Sequence, residues 1–262
     1  MKGKKSNTIS TYNEKLSGRD FYSQLYSDSI EKEAEWLKRR SYQTADSICA
    51  LLERNDLTPS KILEIGCGTG AVIAELQRRG IADSYYAIDY SSEAIEYVHS
   101  TLPDVHAVTG DVVESAELFE GQIFDLVICA HVLEHLEEPK QFLKSLRGLT
   151  YLNFLAEVPL ENLFFGKIKS LFQDRGNHPA GHVQFFDQNS FRNILIDAGL
   201  NIMDQNLYAP VLDKDTLKFR YGNESRLYYL FKMCSEHYGP RYLGAPWIEY
   251  YHAHMSVLCG GT

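Results

Sequence analysis

Residues 63–70, Leu63-Glu64-Ile65-Gly66-Cys67-Gly68-Thr69-Gly70, decide the fold. The apolar run at 61–65 reads as a short strand and the glycines follow it at once. Residues 71–79 then read as a helix, with Gly80 placed to stop it. Strand, glycine loop and helix in this order bring bare backbone to a helix N-terminus, where a ligand can approach closely. An acidic residue about twenty positions further, at the end of the next strand, suits hydrogen bonds to a ribose diol. Asp89, closing a strand at 85–88, stands in that place. The same loop also satisfies the relaxed dinucleotide fingerprint as Gly66-x-Gly68-x-x-Ala71, so a nicotinamide-dependent oxidoreductase stays open on these residues alone.

Working outward, strand and helix signals alternate. Helical spacing of Ala34, Leu37, Ala45, Ile48, Leu51 and Leu52 predicts a helix over 31–55, with Asp28 and Glu31 as its capping pair. Ser91 caps a helix that turns Ile95, Val98 and Leu102 inward, with Pro103 beyond it. Strands are expected at 105–108, ending on Gly110-Asp111, and at 124–130, the most apolar and so the one buried on both faces. A helix at 139–149, a strand at 151–158 and a helix at 189–198 stopped by Gly199 follow, and strands at 202–207 and 250–258 close the sheet. This alternation predicts an α/β fold with a doubly wound, mostly parallel, seven-stranded sheet. The chain divides into a lead-in and helical lid (1–57), a core (58–210), a tyrosine-rich insert (211–246) and the last core strand (247–262). Residues 166–184 read as a long loop with at most one helical turn.

The 262 residues, 44% hydrophobic and 23% charged, can bury a core without disulfides or a structural metal. The five cysteines are scattered, with no Cys-x-x-Cys pair, so no disulfide framework or metal site is expected and a reducing, cytoplasmic setting is the simpler reading. No stretch reaches the ~18 uninterrupted apolar residues of a membrane span. Residues 1–10 carry Lys2, Lys4 and Lys5 with no apolar segment after them, which does not read as a signal peptide. The net charge of −9 and the lack of a basic stripe argue against a nucleic-acid partner. Oligomeric state, including a homodimer, is left open.

Four ordered motifs carry a resemblance to class I S-adenosylmethionine-dependent methyltransferases. The stretch at 63–70 resembles their first motif, including the acidic Glu64 two residues before the first glycine. Ala87-Ile88-Asp89-Tyr90-Ser91 resembles the second and Gly110-Asp111-Val112 the third. Ala130-His131-Val132-Leu133-Glu134-His135-Leu136 is similar to the segment after the fourth strand in the small-molecule branch that includes the ubiquinone-pathway enzymes, and so is Gly181-His182-Val183-Gln184-Phe185-Phe186 to the region after the fifth. The resemblance spans roughly residues 58–208 and implies S-adenosyl-L-methionine as cofactor. It implies that Glu64, Gly66, Cys67, Gly68 and Gly70 back its methionine part and that Asp89, with Tyr90, holds the ribose. It further implies that Asp111 and Val112 meet the adenine, while Ala130 and His131 lie near the sulfonium. Glu134 and His135 read as a helix start without a catalytic part.

Methyl transfer from a sulfonium asks chiefly for alignment, and positioning alone supplies ~7–11 kcal/mol. A base matters only where the acceptor must lose a proton. Candidates for base or acceptor contact are Glu157, Glu161, His178 and His182, with His182 ahead of a strand-like 183–186. Of these, His182, His178 and Glu157 are taken as the catalytic set. Phe21, Tyr22, Tyr26 and Trp36 are lid candidates, and Arg40 is in reach of the cofactor carboxylate or on a surface. Tyr221, Tyr228, Tyr229, Tyr238 and Tyr242 either pack or hold a cationic or amine acceptor by cation–π attraction. The leading expectation is an O- or N-methyltransferase of a small molecule. A protein methyltransferase, an NAD(P)-dependent oxidoreductase and a non-catalytic cofactor-binding protein are the alternatives.

Overall fold

The computed structural model describes residues 18–111, 116–164, 166, 178 and 180–261. Strands β1 (Lys61–Ile65), β2 (Ser84–Asp89), β3 (Val105–Thr109), β4 (Ile123–Ala130), β5 (Thr150–Leu160), β6 (Asn201–Tyr208) and β7 (Ala253–Gly260) form one sheet. Its order is β3-β2-β1-β4-β5-β7-β6. Strands β1 to β5 are parallel, and β7 runs antiparallel to both β5 and β6. Helices α1 (Gly18–Arg54), α2 (Ala71–Arg78) and α3 (Ser92–Thr101) cover one face, and α4 (Pro139–Ser145) and α5 (Gln188–Asp197) the other. The expected doubly wound sheet is thus observed.

Strand β4 is apolar throughout because both of its faces are covered. Leu126 and Ile128 pack with Ile48, Ile73 and Ile95 on the α1–α3 side, while Val127 and Cys129 pack with Phe142 and Phe191 on the other. Ser91 caps α3 as expected, its hydroxyl accepting from Ala94 N at 3.1 Å. The strand order reverses between β1 and β4, and ligands of open α/β sheets bind beyond the carboxyl ends of the strands at such a switch point.

Several boundaries differ from expectation. Helix α1 does not begin with an Asp28–Glu31 cap: it runs back to Gly18, and Ser29 (φ −168°, ψ 67°) breaks it into two segments. The earlier segment exists because Phe21 and Tyr26 are buried against the rest of the protein, which outweighs the polar residues around them. Helix α4 ends at Ser145, and a 3₁₀ turn at Leu146–Gly148 leads to β5. β7 starts at Ala253 rather than at 250, since a helix over Ala245–Tyr250 claims Tyr250. Residues 183–185 form no strand; Phe186 makes a lone bridge to Leu160, and Val183 N and Gln184 N donate to the Glu134 carbonyl.

The insert is helical: α6 (Lys214–Tyr221), α7 (Arg226–Lys232), a π-helical turn at Met233–Tyr238, α8 (Gly239–Leu243) and α9 (Ala245–Tyr250). Leu212 and Leu217 pack on Trp36, tying it to α1. No described helix is long and apolar enough to cross a membrane.

Phe154, fully buried in the middle of β5, faces α4 and α5. Phe154→Ala is expected to cost ~3–5 kcal/mol of unfolding free energy in a urea titration; a loss below ~1 kcal/mol would show that the two layers do not meet on β5.

Candidate active site

The glycine loop lies where β1 hands over to α2. Gly66 N and Cys67 N both donate to the Ile88 carbonyl, at 2.8 and 3.2 Å, which pins the loop to β2. Gly66 (φ +67°) and Gly68 (φ +51°) sit in the left-handed region that glycine reaches without strain. A Cβ on Gly66 would lie 2.5 Å from Val132 Cγ2, and one on Gly68 2.6 Å from the Tyr26 hydroxyl. Asp89 holds the loop through Oδ2, which accepts from Gly68 N at 2.8 Å, while Oδ1 accepts from Ser91 N at 2.9 Å. Glu64 accepts from Ile73 N at 3.1 Å, and burial pushes its carboxyl up to about 8 despite that bond.

These residues open on one cavity of about 1100 Å³. Of the expected cofactor set, Glu64, Gly66, Cys67, Gly68, Asp89, Tyr90, Asp111, Ala130 and His131 line it. Gly70 does not: it caps the start of α2, packed on Val98 and Leu102. Val112 lies outside the described residues. Phe21, Tyr22, Tyr26 and Trp36 are part of the wall contributed by α1.

Beyond β4 the chain turns sharply, and His131 takes φ +58°, uncommon for a residue with a side chain. Its N–H donates to the Glu157 carbonyl at 2.9 Å. Its ring lies between two carboxylates, with Nε2 3.1 Å from Glu157 and Nδ1 3.4 Å from Glu134. Burial disfavours the imidazolium, but those bonds outweigh it and raise the His131 pKa to about 9. His131 is therefore a cation at neutral pH and no base. Neither is Glu157, the expected catalytic carboxylate. It is fully buried and accepts from Thr44 Oγ1 at 2.9 Å, Tyr208 Oη at 2.7 Å, Ser256 Oγ and His131, with His254 Nδ1 at 3.5 Å. Burial alone would raise its pKa, yet His131 and His254 hold it well below the usual range. Glu157 holds the His131 ring and, fully buried, does not line the cavity.

Glu134 and His135, read from sequence as a helix start, belong to a 3₁₀ turn (Leu133–His135) that aims both into the cavity. His135 Nδ1 stands 3.3 Å from the Gly181 carbonyl, which can only accept, so Nδ1 carries the proton. Nε2 then accepts from the Tyr22 hydroxyl at 3.2 Å. Burial lowers the His135 pKa to about 4. Opposite, Glu161 accepts from His182 Nδ1 at 2.5 Å and from His178 Nε2 at 3.2 Å. Despite its burial, these two rings keep the Glu161 carboxyl far below its usual range. His182 is left with Nε2 as proton acceptor in a side chain that lines the cavity.

Glu134, His135 and His182 bring three ligand atoms within 4.8 Å of one another, and Glu134 Oε2 is buried without a hydrogen-bond partner. This set could hold a divalent cation.

Sequence reading missed His252, His254, Tyr208 and Arg220, all cavity-lining. Of the insert's tyrosines, Tyr221 reaches the cavity, while Tyr228, Tyr238 and Tyr242 are exposed. Tyr221 and Tyr228 already carry a cation, since Lys232 Nζ lies 4.9 and 5.8 Å from their ring centres.

Residues 36–205 match the family model described as a methyltransferase domain, and the chain belongs to that family. It is 41% identical over 101 residues to the mitochondrial ubiquinone biosynthesis O-methyltransferase of Schizosaccharomyces pombe, covering 36% of this chain and 35% of that protein. The ubiquinone biosynthesis O-methyltransferase of Rickettsia felis is 33% identical over 110 residues, 41% of this chain and 44% of the relative. The match thus spans less than half the length of these relatives. Among solved structures, the putative methyltransferase bound to the Trm112 activator of Haloferax volcanii superposes with TM-score 0.61 at 14% identity, covering 94% of this chain and 98% of that one. The magnesium protoporphyrin IX methyltransferase of Synechocystis gives 0.51 at 18% identity, over 84% and 83%. At these identities the superpositions show a shared fold.

The histidines set a pH window. The His131 pKa is about 9 in the folded chain against an ordinary 6.5, so the stabilisation it brings is full below pH 6.5, shrinks as pH rises and is gone above 9. His252 and His254 are pushed down by burial to about 3 and 4, so protonation below pH 6.5 favours the unfolded chain. The thermal midpoint is expected to peak near pH 6.5 and fall on both sides. Glu64, raised to about 8, adds to the alkaline fall below pH 8, so His131→Gln should lessen that fall without removing it, and an unchanged slope between pH 8 and 9 would contradict the His131 assignment.

Proposed function

We propose that the protein is a methyltransferase that binds S-adenosylmethionine over the glycine loop and passes its methyl group to an oxygen atom of a small-molecule acceptor. The observation that carries this is a shared cavity, in which the glycine loop and Asp89 form walls together with Glu161 and His182. Its volume of about 1100 Å³ exceeds the ~300–1,000 Å³ usual for one ligand, which suits a donor and an acceptor side by side. The family membership and the O-methyltransferase names of the relatives support the same reading.

The residues present fit the donor. Gly66 and Gly68, both at positive φ, carry bare loop backbone along the cavity wall, and Asp89 stands at the end of β2 to accept from ribose hydroxyls. Tyr90 and Asp111 continue the wall beside it. When bound, the cofactor supplies a methyl group on a sulfonium, a leaving group already in place. What remains for the protein is alignment, exclusion of water and one proton. Tyr22, Tyr26 and Trp36 exclude water from above. The proton of the acceptor hydroxyl passes to His182 Nε2. Glu161, bound to Nδ1, fixes the tautomer and stabilises the imidazolium that forms, the logic of a carboxylate–histidine pair in acyl transfer. The flanking Glu134 and Glu157 outnumber the His131 cation between them, and net negative charge suits a sulfonium neighbour.

A second reading rests on the orphaned Glu134 Oε2: with His135 and His182 it would hold a divalent cation that supplies Lewis-acid chemistry at the acceptor. Extensive dialysis against a chelator distinguishes the two. Under the base reading neither chelation nor added Mn²⁺ or Zn²⁺ moves the thermal midpoint; a fall on chelation restored by one of those ions favours the cation.

The donor reading itself is tested by calorimetric titration with S-adenosylhomocysteine. Asp89→Ala should bind ~10- to 100-fold more weakly than the unsubstituted protein, as expected for hydrogen bonds to a charged group. Failure of the unsubstituted protein to bind, or equal affinities, would overturn it.

A further inference from the structure

We propose that the acceptor half of the cavity contains an oxyanion subsite, formed by Arg40 and Arg220 against the ring of Trp36, that takes a carboxylate or phosphate group carried by the acceptor. This rests on the methyltransferase reading above and adds a substrate class to it.

One face of α1 is visible in its contacts. Ser47 bonds the Ser256 hydroxyl at 2.6 Å and Thr44 bonds Glu157 at 2.9 Å, so these turns stand over β5 and β7. Arg40 comes one turn earlier on that face and lines the cavity above them, away from the β2–β3 side where the ribose and adenine residues lie. Among the described residues Arg40 has no hydrogen-bond or ion-pair partner; its guanidinium carbon lies 5.1 Å from the Trp36 ring centre. Arg220 comes from α6 of the insert, and its guanidinium carbon lies 4.8 Å from the same ring. Its ion pair, with Glu33, is long at 3.5 Å.

A guanidinium carries five donors in a planar fork that matches carboxylate and phosphate oxygens, and stacking on an aromatic ring fixes the fork before a ligand arrives. Less ordering then remains to be done on binding. Glu33 is the acidic neighbour of both guanidinium groups, so two cations share one carboxylate on this wall and a net positive charge faces the cavity. The aromatic pair Tyr221 and Tyr228 does not offer a place to a cationic acceptor, because Lys232 already lies over both rings.

The donor also carries a carboxylate, and the test must separate the two. Protein saturated with S-adenosylhomocysteine is titrated calorimetrically with benzoate, phenyl phosphate and benzamide, the last a neutral isostere of the first. At least one of the two anions is expected to bind ~10-fold or more tightly than benzamide, and which one does identifies the group. Arg40→Gln and Arg220→Gln should each erase that preference while binding S-adenosylhomocysteine as before, which also shows that they fold. Equal binding of anions and amide, or no binding of either anion, overturns the subsite. So does an Arg40→Gln protein that loses affinity for S-adenosylhomocysteine but not for 5′-methylthioadenosine, since Arg40 would then serve the donor's carboxylate. Failure of the unsubstituted protein to bind S-adenosylhomocysteine would instead strike the methyltransferase reading.

Discussion

The site depends on one buried carboxylate. Taking an ion out of water costs several kcal/mol even after relaxation, and that cost is met only where donors saturate the charge. Glu157 is saturated by residues from separate parts of the chain: Thr44 of α1, Tyr208 of β6, His254 and Ser256 of β7, and His131 beyond β4. Each of those segments is thereby held against β5. The same bonds keep His131 at a positive φ and fix where the chain turns after β4, hence the direction in which Glu134 and His135 point. Glu157 thus ties together the segments that surround the cavity.

Above this anchor one helix serves two halves of the cavity. The segment of α1 before Ser29 reaches the glycine loop through Tyr26 and reaches His135 through Tyr22, while the segment after it presents Trp36 and Arg40 over β5 and β7. Both walls of the cavity are therefore joined through one helix that is kinked at Ser29. The insert meets that helix through Leu212 and Leu217, so residues on α6 share the reference frame of those on α1.

What the sequence made legible was local. The glycine loop, the apolar β4 and the Ser91 cap each follow from a few neighbouring residues whose spacing has a single structural meaning. Four spaced motifs likewise named residues that the fold brings to one cavity. The less legible parts depend on contacts distant along the chain. Residues 18–30 are polar enough to mask a helix, and what orders them is burial of Phe21 and Tyr26 near Gly181 and Gly68. Thr44, Tyr208 and His254 look like ordinary polar residues of a helix and two strands. They converge only because β7 pairs antiparallel with two neighbours, setting Ser256 opposite Glu157 and His254 opposite Tyr208. Glu157 itself reads as a reactive carboxylate until its donors are seen. The insert's tyrosines misdirect in the same way, since nothing local reveals that Lys232 fills the space over two of them.

Amide hydrogen exchange with and without S-adenosylhomocysteine tests most directly whether donor loop and α1 enclose one site. Protection is expected to rise together in the loop at 66–70, at the end of β2 near Asp89, and in α1 on both sides of Ser29. Unchanged exchange at 66–70 and at Asp89, or protection confined to segments outside the cavity, would contradict the account.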